Sequence, residues 1–293
     1  MRSQQPPDLD IRSILEAAFI AKEECPDLWA LWLADTYTDD GWHSKPSKQF
    51  WHHASGLGGC DRAAIFKRAK FPPVPNAVES LVTFEVGHHV HLLIQFGLAV
   101  HPEYELLAHE IGGFHPGLHI AARCDALYRY KGVVTILEVK TEKTGADKWR
   151  QREAQKEGRQ TTANPTHMVQ AKATSMVISV NRPELAPERG WIAYFSKDDG
   201  RIDQQPLDWD SLEEQVIERV HLRNGMWAQY EANGELPDVL PQWPDGGLCG
   251  ARGPGDDRGK YCQFRPACIA ARIAENEGRP ITLQDLNDVQ QRY

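Results

Sequence analysis

The chain has 293 residues, 41% of them hydrophobic and 25% charged, with a formal net charge of −8. That is enough sequence for a full hydrophobic core, as one large domain or one domain with an appended module; the acidic balance argues against a protein held to nucleic acid by bulk charge, though not against a local basic groove. No apolar run reaches transmembrane length and the N-terminus MRSQQPPDLDIRS has no apolar h-region, so no membrane association is expected and the cytoplasm is the expected compartment.

Residues 1–10 are polar with a Pro-Pro pair, and helical periodicity follows from Ile11 to Thr36, broken near Pro26. Residues 37–50 are turn-rich. A glycine-rich loop, Phe50 to Cys60, leads into a short helix, Asp61 to Lys70. Asn76 can cap the next helix, with Glu79 at the capping-box position; the helix runs to about Phe96 and carries Gly87 and His91 on one face. Residues 104–114 read as a strand and Pro116-Gly117 as a turn. Thr141 to Thr162 is polar with a basic cast, as in a solvated helix or lid. Thr166 to Val180 is a helix with His167, Gln170 and Thr174 on one face; Trp191 to Ser196 is a strand; Trp209 to Ala232 is a long amphipathic helix.

The most informative stretch is Gly132 to Lys140, GVVTILEVK. It has the β-branched content and length of a strand, and alternation puts Val134, Ile136, Glu138 and Lys140 on one face. The segment before it, Leu118 to Tyr130, reads as a strand carrying Arg123, Asp125, Leu127 and Arg129 on one face. If Lys131-Gly132 is a two-residue hairpin turn, Tyr130 faces Val133 and Asp125 lies opposite Glu138, with Cβ atoms roughly 5 Å apart. Two carboxylates so close repel unless a divalent cation sits between them. The alternative is a surface hairpin with both acids solvated.

Of the six cysteines, Cys25 and Cys124 fit buried small hydrophobes. Cys60 lies in SGLGGCDR, a loop with no packing need for a thiol, and Cys249, Cys262 and Cys268 fall close together near the C-terminus. Four thiolates could hold zinc or an iron–sulfur cluster, and spacing does not separate the two.

Taken in order, Cys60, Gly87/His91, Asp125, Glu138-Val139-Lys140, Gln170 and the three late cysteines resemble the PD-(D/E)XK nuclease superfamily. Within it they are similar to RecB-like exonucleases with an iron–sulfur cluster, such as the CRISPR-associated exonucleases and their phage relatives. The resemblance covers residues 50–268. Ser55, Leu57, Cys60 and Arg62 stand in the family's S-x-L-x-x-C-x-R pattern, Gly87 and His91 in its G-x-x-x-H, and Glu138 and Lys140 in its E-x-K. The sequence departs at Ala122, where the family has Gly, at Thr174, where it has the Tyr of Q-x-x-x-Y, and at the long spacer between Cys249 and Cys262.

The resemblance implies an α/β fold with a central mixed sheet flanked by helices, and an iron–sulfur staple joining N-terminal and C-terminal segments. It implies an N-terminal helical segment (1–49), a nuclease core with the first cluster cysteine (50–240) and a cluster-binding tail (241–293). His91, Asp125, Glu138 and the Val139 carbonyl would hold Mg²⁺ or Mn²⁺. Lys140 would orient water or stabilise the reacting phosphate, and Gln170 would position water or backbone. Cys60, Cys249, Cys262 and Cys268 would hold a [4Fe–4S] cluster. Arg62 and Arg68 would contact DNA phosphates. The implied activity is a metal-dependent DNA exonuclease, in recombination, repair or phage DNA processing, with DNA and a recombination or replication protein as partners. The alternatives are a DNA-binding accessory protein on the same fold and a zinc-stapled hydrolase of another substrate.

Overall fold

The computed structural model describes residues 9–37, 52–75, 78–142, 163–207, 209–237, 262–279 and 281–290. The Asn76 cap, the basic segment after Glu142 and Cys249 lie outside the described residues. The chain divides into two units, each discontinuous in sequence: residues 1–58 with 82–217, and residues 59–81 with 218–293. This partition differs from the sequence boundaries at 49 and 240, because Cys60 and the helix after it pack with the C-terminal residues.

The first unit is a mixed α/β structure. Helices α1 (Ile11–Glu24) and α2 (Pro26–Tyr37) meet at Cys25, where the proline interrupts the periodicity. Cys25 is exposed, not buried as its helical context suggested. Strand β1 (His52–His53) and helix α3 (Ala54–Leu57) precede helix α4 (Asp61–Arg68) of the second unit. Helix α5 (Val78–Val100) then leads into β2 (Glu105–His109), β3 (Gly112–His115), β4 (Ile120–Arg123), β5 (Ala126–Tyr130) and β6 (Val133–Glu142). Helix α6 (Pro165–Asn181) crosses over to β7 (Arg189–Ser196), followed by β8 (Ile202–Pro206) and helix α7 (Leu212–Asn233).

A five-stranded sheet has the order β2-β5-β6-β7-β8, in which β6 and β7 are parallel and the other pairs antiparallel. A three-stranded sheet has the order β1-β4-β3. Leu137 and Val139 face α1 and α5 in a core that includes Ile14, Ile94, Leu98 and Tyr128. Ile136 faces the opposite side, against Ile178 of α6. The period-2 reading of GVVTILEVK therefore holds, and both faces of β6 are covered.

The hairpin register also holds. Tyr130 pairs with Val133, and pairing continues to Ala126 with Leu137, one step short of Asp125 and Glu138. Lys131 (φ 48°) and Gly132 (φ 83°) are both left-handed, as the tight turns that match strand twist require. The expected strand from Leu118 to Tyr130 is instead two strands in two sheets, broken at Cys124-Asp125. The expected strand over 104–114 likewise splits at Glu110, whose φ is 51°. Both breaks bring acidic residues to the same place.

The second unit holds α4, α8 (Arg265–Asn276), α9 (Leu283–Gln290) and the part of α7 from residue 218 on. Its core sets Phe66 against Ala267, Ala271, Phe71 and Phe264.

Candidate metal site and cysteine centre

Strand β6 delivers Glu138 and Lys140 to the α6 side of the sheet. Glu138 is 1% exposed. Its Oε1 accepts from Lys140 Nζ at 2.6 Å and from Gln170 Nε2 of α6, and Lys140 Nζ also donates to Gln170 Oε1 at 3.0 Å. Among the described residues, Glu138 Oε2 is buried with no hydrogen-bond partner. A half-satisfied buried carboxylate is costly unless it is protonated or meets a further cation.

Asp125 sits at the strand break, where side-chain bonds replace the ladder. Its Oδ2 accepts from the Val139 N–H at 2.7 Å, and its carbonyl accepts from Gln95 Nε2 at 2.8 Å. Its Oδ1 lies 3.6 Å from His91 Nδ1 on α5. Gly87, one turn earlier, lets α5 approach β6: a Cβ there would stand 2.7 Å from Thr141 Oγ1. That contact explains the Gly87/His91 pairing, since the helix must lie close for the imidazole to reach Asp125.

Sequence reasoning missed Glu110. One ligand atom from each of His91, Glu110 and Asp125 lies within 4.8 Å of the others. Glu110 Oε1 accepts from Gln95 Nε2 at 2.9 Å, and its Oε2 lies 2.8 Å from Arg123 Nε. No motif marks Glu110; only the turn between β2 and β3 brings it here. Thr174 of the Q-x-x-x-Y position is buried and donates to the Gln170 carbonyl at 2.9 Å, so it bonds its own helix.

The charges divide unevenly. Burial, and next the charge of Asp125, push Glu138 up to about 7, while Lys140 pulls it back. Burial alone would raise Asp125, but His91, Lys140 and the Val139 N–H outweigh it and hold Asp125 below its usual range. Burial works to lower His91 and Lys140, and the carboxylates beside them raise both. A carboxyl with a raised folded pKa favours the native state when protonated. Metal-free protein should therefore lose stability as pH rises from the ordinary carboxyl value of 4.5 to about 7. Glu138→Gln, which mimics the neutral acid, should remove that loss and be more stable than wild type at pH ~8 by on the order of 2 kcal/mol. Thermal melts across pH in chelator check this, and parallel profiles for the two proteins would refute the assignment.

In the second unit, Cys60 occupies the N-cap position of α4, while Cys262 and Cys268 flank the start of α8. Burial raises Cys262 and Cys268, and Cys60 acts electrostatically on both. Cys60, Cys262 and Cys268 thus lie near enough to influence one another, although the metal-ligand group found among the described residues is His91, Glu110 and Asp125, not these thiols; Cys249, the fourth expected ligand, lies outside the described residues. Arg62 does not serve as a surface phosphate contact. It is 5% exposed, donates from Nε to the Pro237 carbonyl at 2.5 Å, and pairs with Glu275 at 2.7 Å. Its charge and a side-chain hydrogen bond pull Cys268 down against the effect of burial. A cation beside a thiol favours the thiolate, the form that a metal or cluster would need. Arg68 is half-buried, its guanidinium 3.9 Å over the Trp227 ring and lowered by burial to about 10.

No model of a protein family matches the sequence, and no curated protein does. Among solved structures, the chain is similar to the crystal structure of SSO0001, at 15% identity and a TM-score of 0.43, over 82% of this chain and 93% of that one. It is also similar to an alkaline exonuclease (LHK-Exo) from Laribacter hongkongensis, at 15% identity and a TM-score of 0.40, over 63% of this chain and 92% of that one. At such distances the site's chemistry has to be decided on its own residues.

Proposed function

We propose that the chain is a metal-dependent deoxyribonuclease, acting as an exonuclease on DNA ends during recombination, repair or phage DNA processing. The observation that carries this reading is Glu138: a buried carboxylate with one oxygen unpartnered, beside Asp125, with Lys140 and Gln170 fixed on its other oxygen. Carboxylates with one imidazole suit Mg²⁺ or Mn²⁺. When bound, the ion supplies a more acidic water and charge neutralisation at phosphate. His91, Asp125, Glu138 and the Val139 carbonyl would hold it. Lys140, one pleat beyond Glu138, donates toward the reacting phosphate or its attacking water. Gln170 keeps the ammonium and carboxylate in register through its two hydrogen bonds.

In this reading Cys60, Cys262, Cys268 and Cys249 would hold a [4Fe–4S] cluster, and a structural zinc is the competing occupant. Roughly four irons and four sulfides per chain, with visible absorption that zinc cannot give, would support the cluster. Labelled linear single-stranded and duplex DNA, incubated with Mg²⁺, Mn²⁺ or EDTA, tests the activity. Cleavage is expected only with metal, and cleavage that survives full chelation would sink the reading. Binding without cleavage in either metal would point to a DNA-binding accessory protein.

A further inference from the structure

Neither arginine that the sequence offers to DNA lies open to a phosphate, since Arg62 is buried and Arg68 is stacked on Trp227. In the first unit, Lys140, Arg123 and Arg201 each hold an acid. Among the described residues, Lys197 holds none. We propose that Lys197, with the Thr141 hydroxyl beside it, binds a backbone phosphate of the DNA strand next to the one that reacts. The inference rests on the nuclease reading above, and adds to it a substrate-binding residue.

Three observations carry it. The first is position on the sheet. Lys197 follows the last residue of β7, and its N–H donates to the carbonyl of Glu142, the last residue of β6, at 2.9 Å. The two strands are parallel, so Lys197 stands at their carboxyl ends, where open α/β sheets bind ligands. Alternation sends Thr141 and its neighbour Phe195 to the α5 side with Val139, and Lys197 falls on that side too. The second observation is closeness to the site. A Cβ at Gly87 would stand 2.7 Å from Thr141 Oγ1 and 3.6 Å from Lys197 Nζ, so a hydroxyl and an ammonium converge over the glycine. Gly87 precedes His91 on α5 by four residues, about 6 Å along the axis.

The third observation is the unanswered charge. Lys197 Nζ donates to the Thr83 carbonyl at 2.7 Å, and Asp199, two residues on, is taken by Arg201. Burial lowers the pKa of Lys197, and no acid offsets it. A partly desolvated cation that meets only a carbonyl is a cost to the fold, which an arriving phosphate would relieve. An ammonium has three donors, so two are left for such an anion once Thr83 has taken one. Bonds at its backbone and at its tip hold the side chain in place before a substrate arrives.

The test measures binding apart from cleavage. Full-length protein carrying Lys140→Met, with Mg²⁺ present, is titrated against fluorescein-labelled oligothymidylate, and anisotropy is followed over a series of KCl concentrations. Adding Lys197→Gln removes the charge and keeps an amide donor. It should weaken binding about tenfold at low salt and flatten the slope of log K against log[KCl] by about 0.7, the counterion release of one phosphate contact on a single strand. Lys197→Arg should keep both affinity and slope. Thr141→Val, isosteric and neutral, should weaken binding at an unchanged slope, which keeps the test intact should Lys197→Gln not fold. Unchanged affinity and slope in the folded variants, whatever their melting temperatures, would overturn the inference alone and leave Lys197 a strut between β7 and α5. No binding of the oligonucleotide by the parent protein would overturn it together with the nuclease reading beneath it.

Discussion

Lys140→Met should reduce DNA turnover by about 10²–10³-fold with the fold intact, the cost of removing one preorganised charge from the reacting group. Lys140 Nζ lies 2.6 Å from Glu138 Oε1 and 3.0 Å from Gln170 Oε1, so it is anchored before any substrate arrives. A group fixed in advance spends nothing on reorganisation at the moment of reaction, and its loss should fall on kcat more than on KM. A second effect accompanies it. Lys140 pulls the carboxyl of Glu138 down from where burial and Asp125 would put it, at present about 7. Without the ammonium, Glu138 should hold its proton to higher pH, and the pH at which Mn²⁺ binding reaches half its plateau should rise. Single-turnover rates and Mn²⁺ titrations across pH separate the two effects. A folded Lys140→Met protein with wild-type rates and an unchanged pH profile would remove Lys140 from the chemistry.

Asp61→Ala should destabilise the second unit by about 3–5 kcal/mol, the cost of breaking a buried ion pair from one side. Asp61 is 4% exposed and accepts from Arg219 Nη2 at 2.6 Å and Arg223 Nε at 2.9 Å. The same two arginines, one turn apart on α7, donate to the Gly59 carbonyl at 3.1 and 2.9 Å. Arg223 is itself buried, and its desolvation is already severe enough to lower its pKa. Truncating Asp61 strands that guanidinium, and it also loosens the backbone on either side of Cys60. Any group held by the cysteines should therefore be lost along with stability. Asp61→Asn keeps an acceptor and should cost less. Chemical denaturation followed by metal analysis would check both, and an Asp61→Ala protein of wild-type stability would show that the arginines find water instead.

Much of the arrangement at the candidate cation site was legible in the chain because it rests on local rules. Alternation along GVVTILEVK assigned Glu138 and Lys140 to one face, and a two-residue turn at Lys131-Gly132 fixed the register that brings Asp125 toward Glu138. The i,i+4 relation of Gly87 and His91 is likewise local, although its reason, the close approach to Thr141, is tertiary. Sequence alone could not decide whether the acids are solvated or buried, since burial depends on which helices cover each face of β6.

Three features were settled only by the tertiary structure. The strand through Asp125 breaks because the aspartate's own carboxylate takes the Val139 N–H, a competition that no propensity encodes. Glu110 joins the site through a left-handed turn and a bond to Gln95, 15 positions away in sequence. Arg62 looked like a phosphate contact because it stands in a basic run beside a loop. The face of α4 that turns inward was decided by Phe66 packing against Ala267 and Ala271, far along the chain, where Glu275 also pairs with Arg62. Charge patterns along a chain report which groups must be solvated or paired; the partner that pairs them is chosen by the fold.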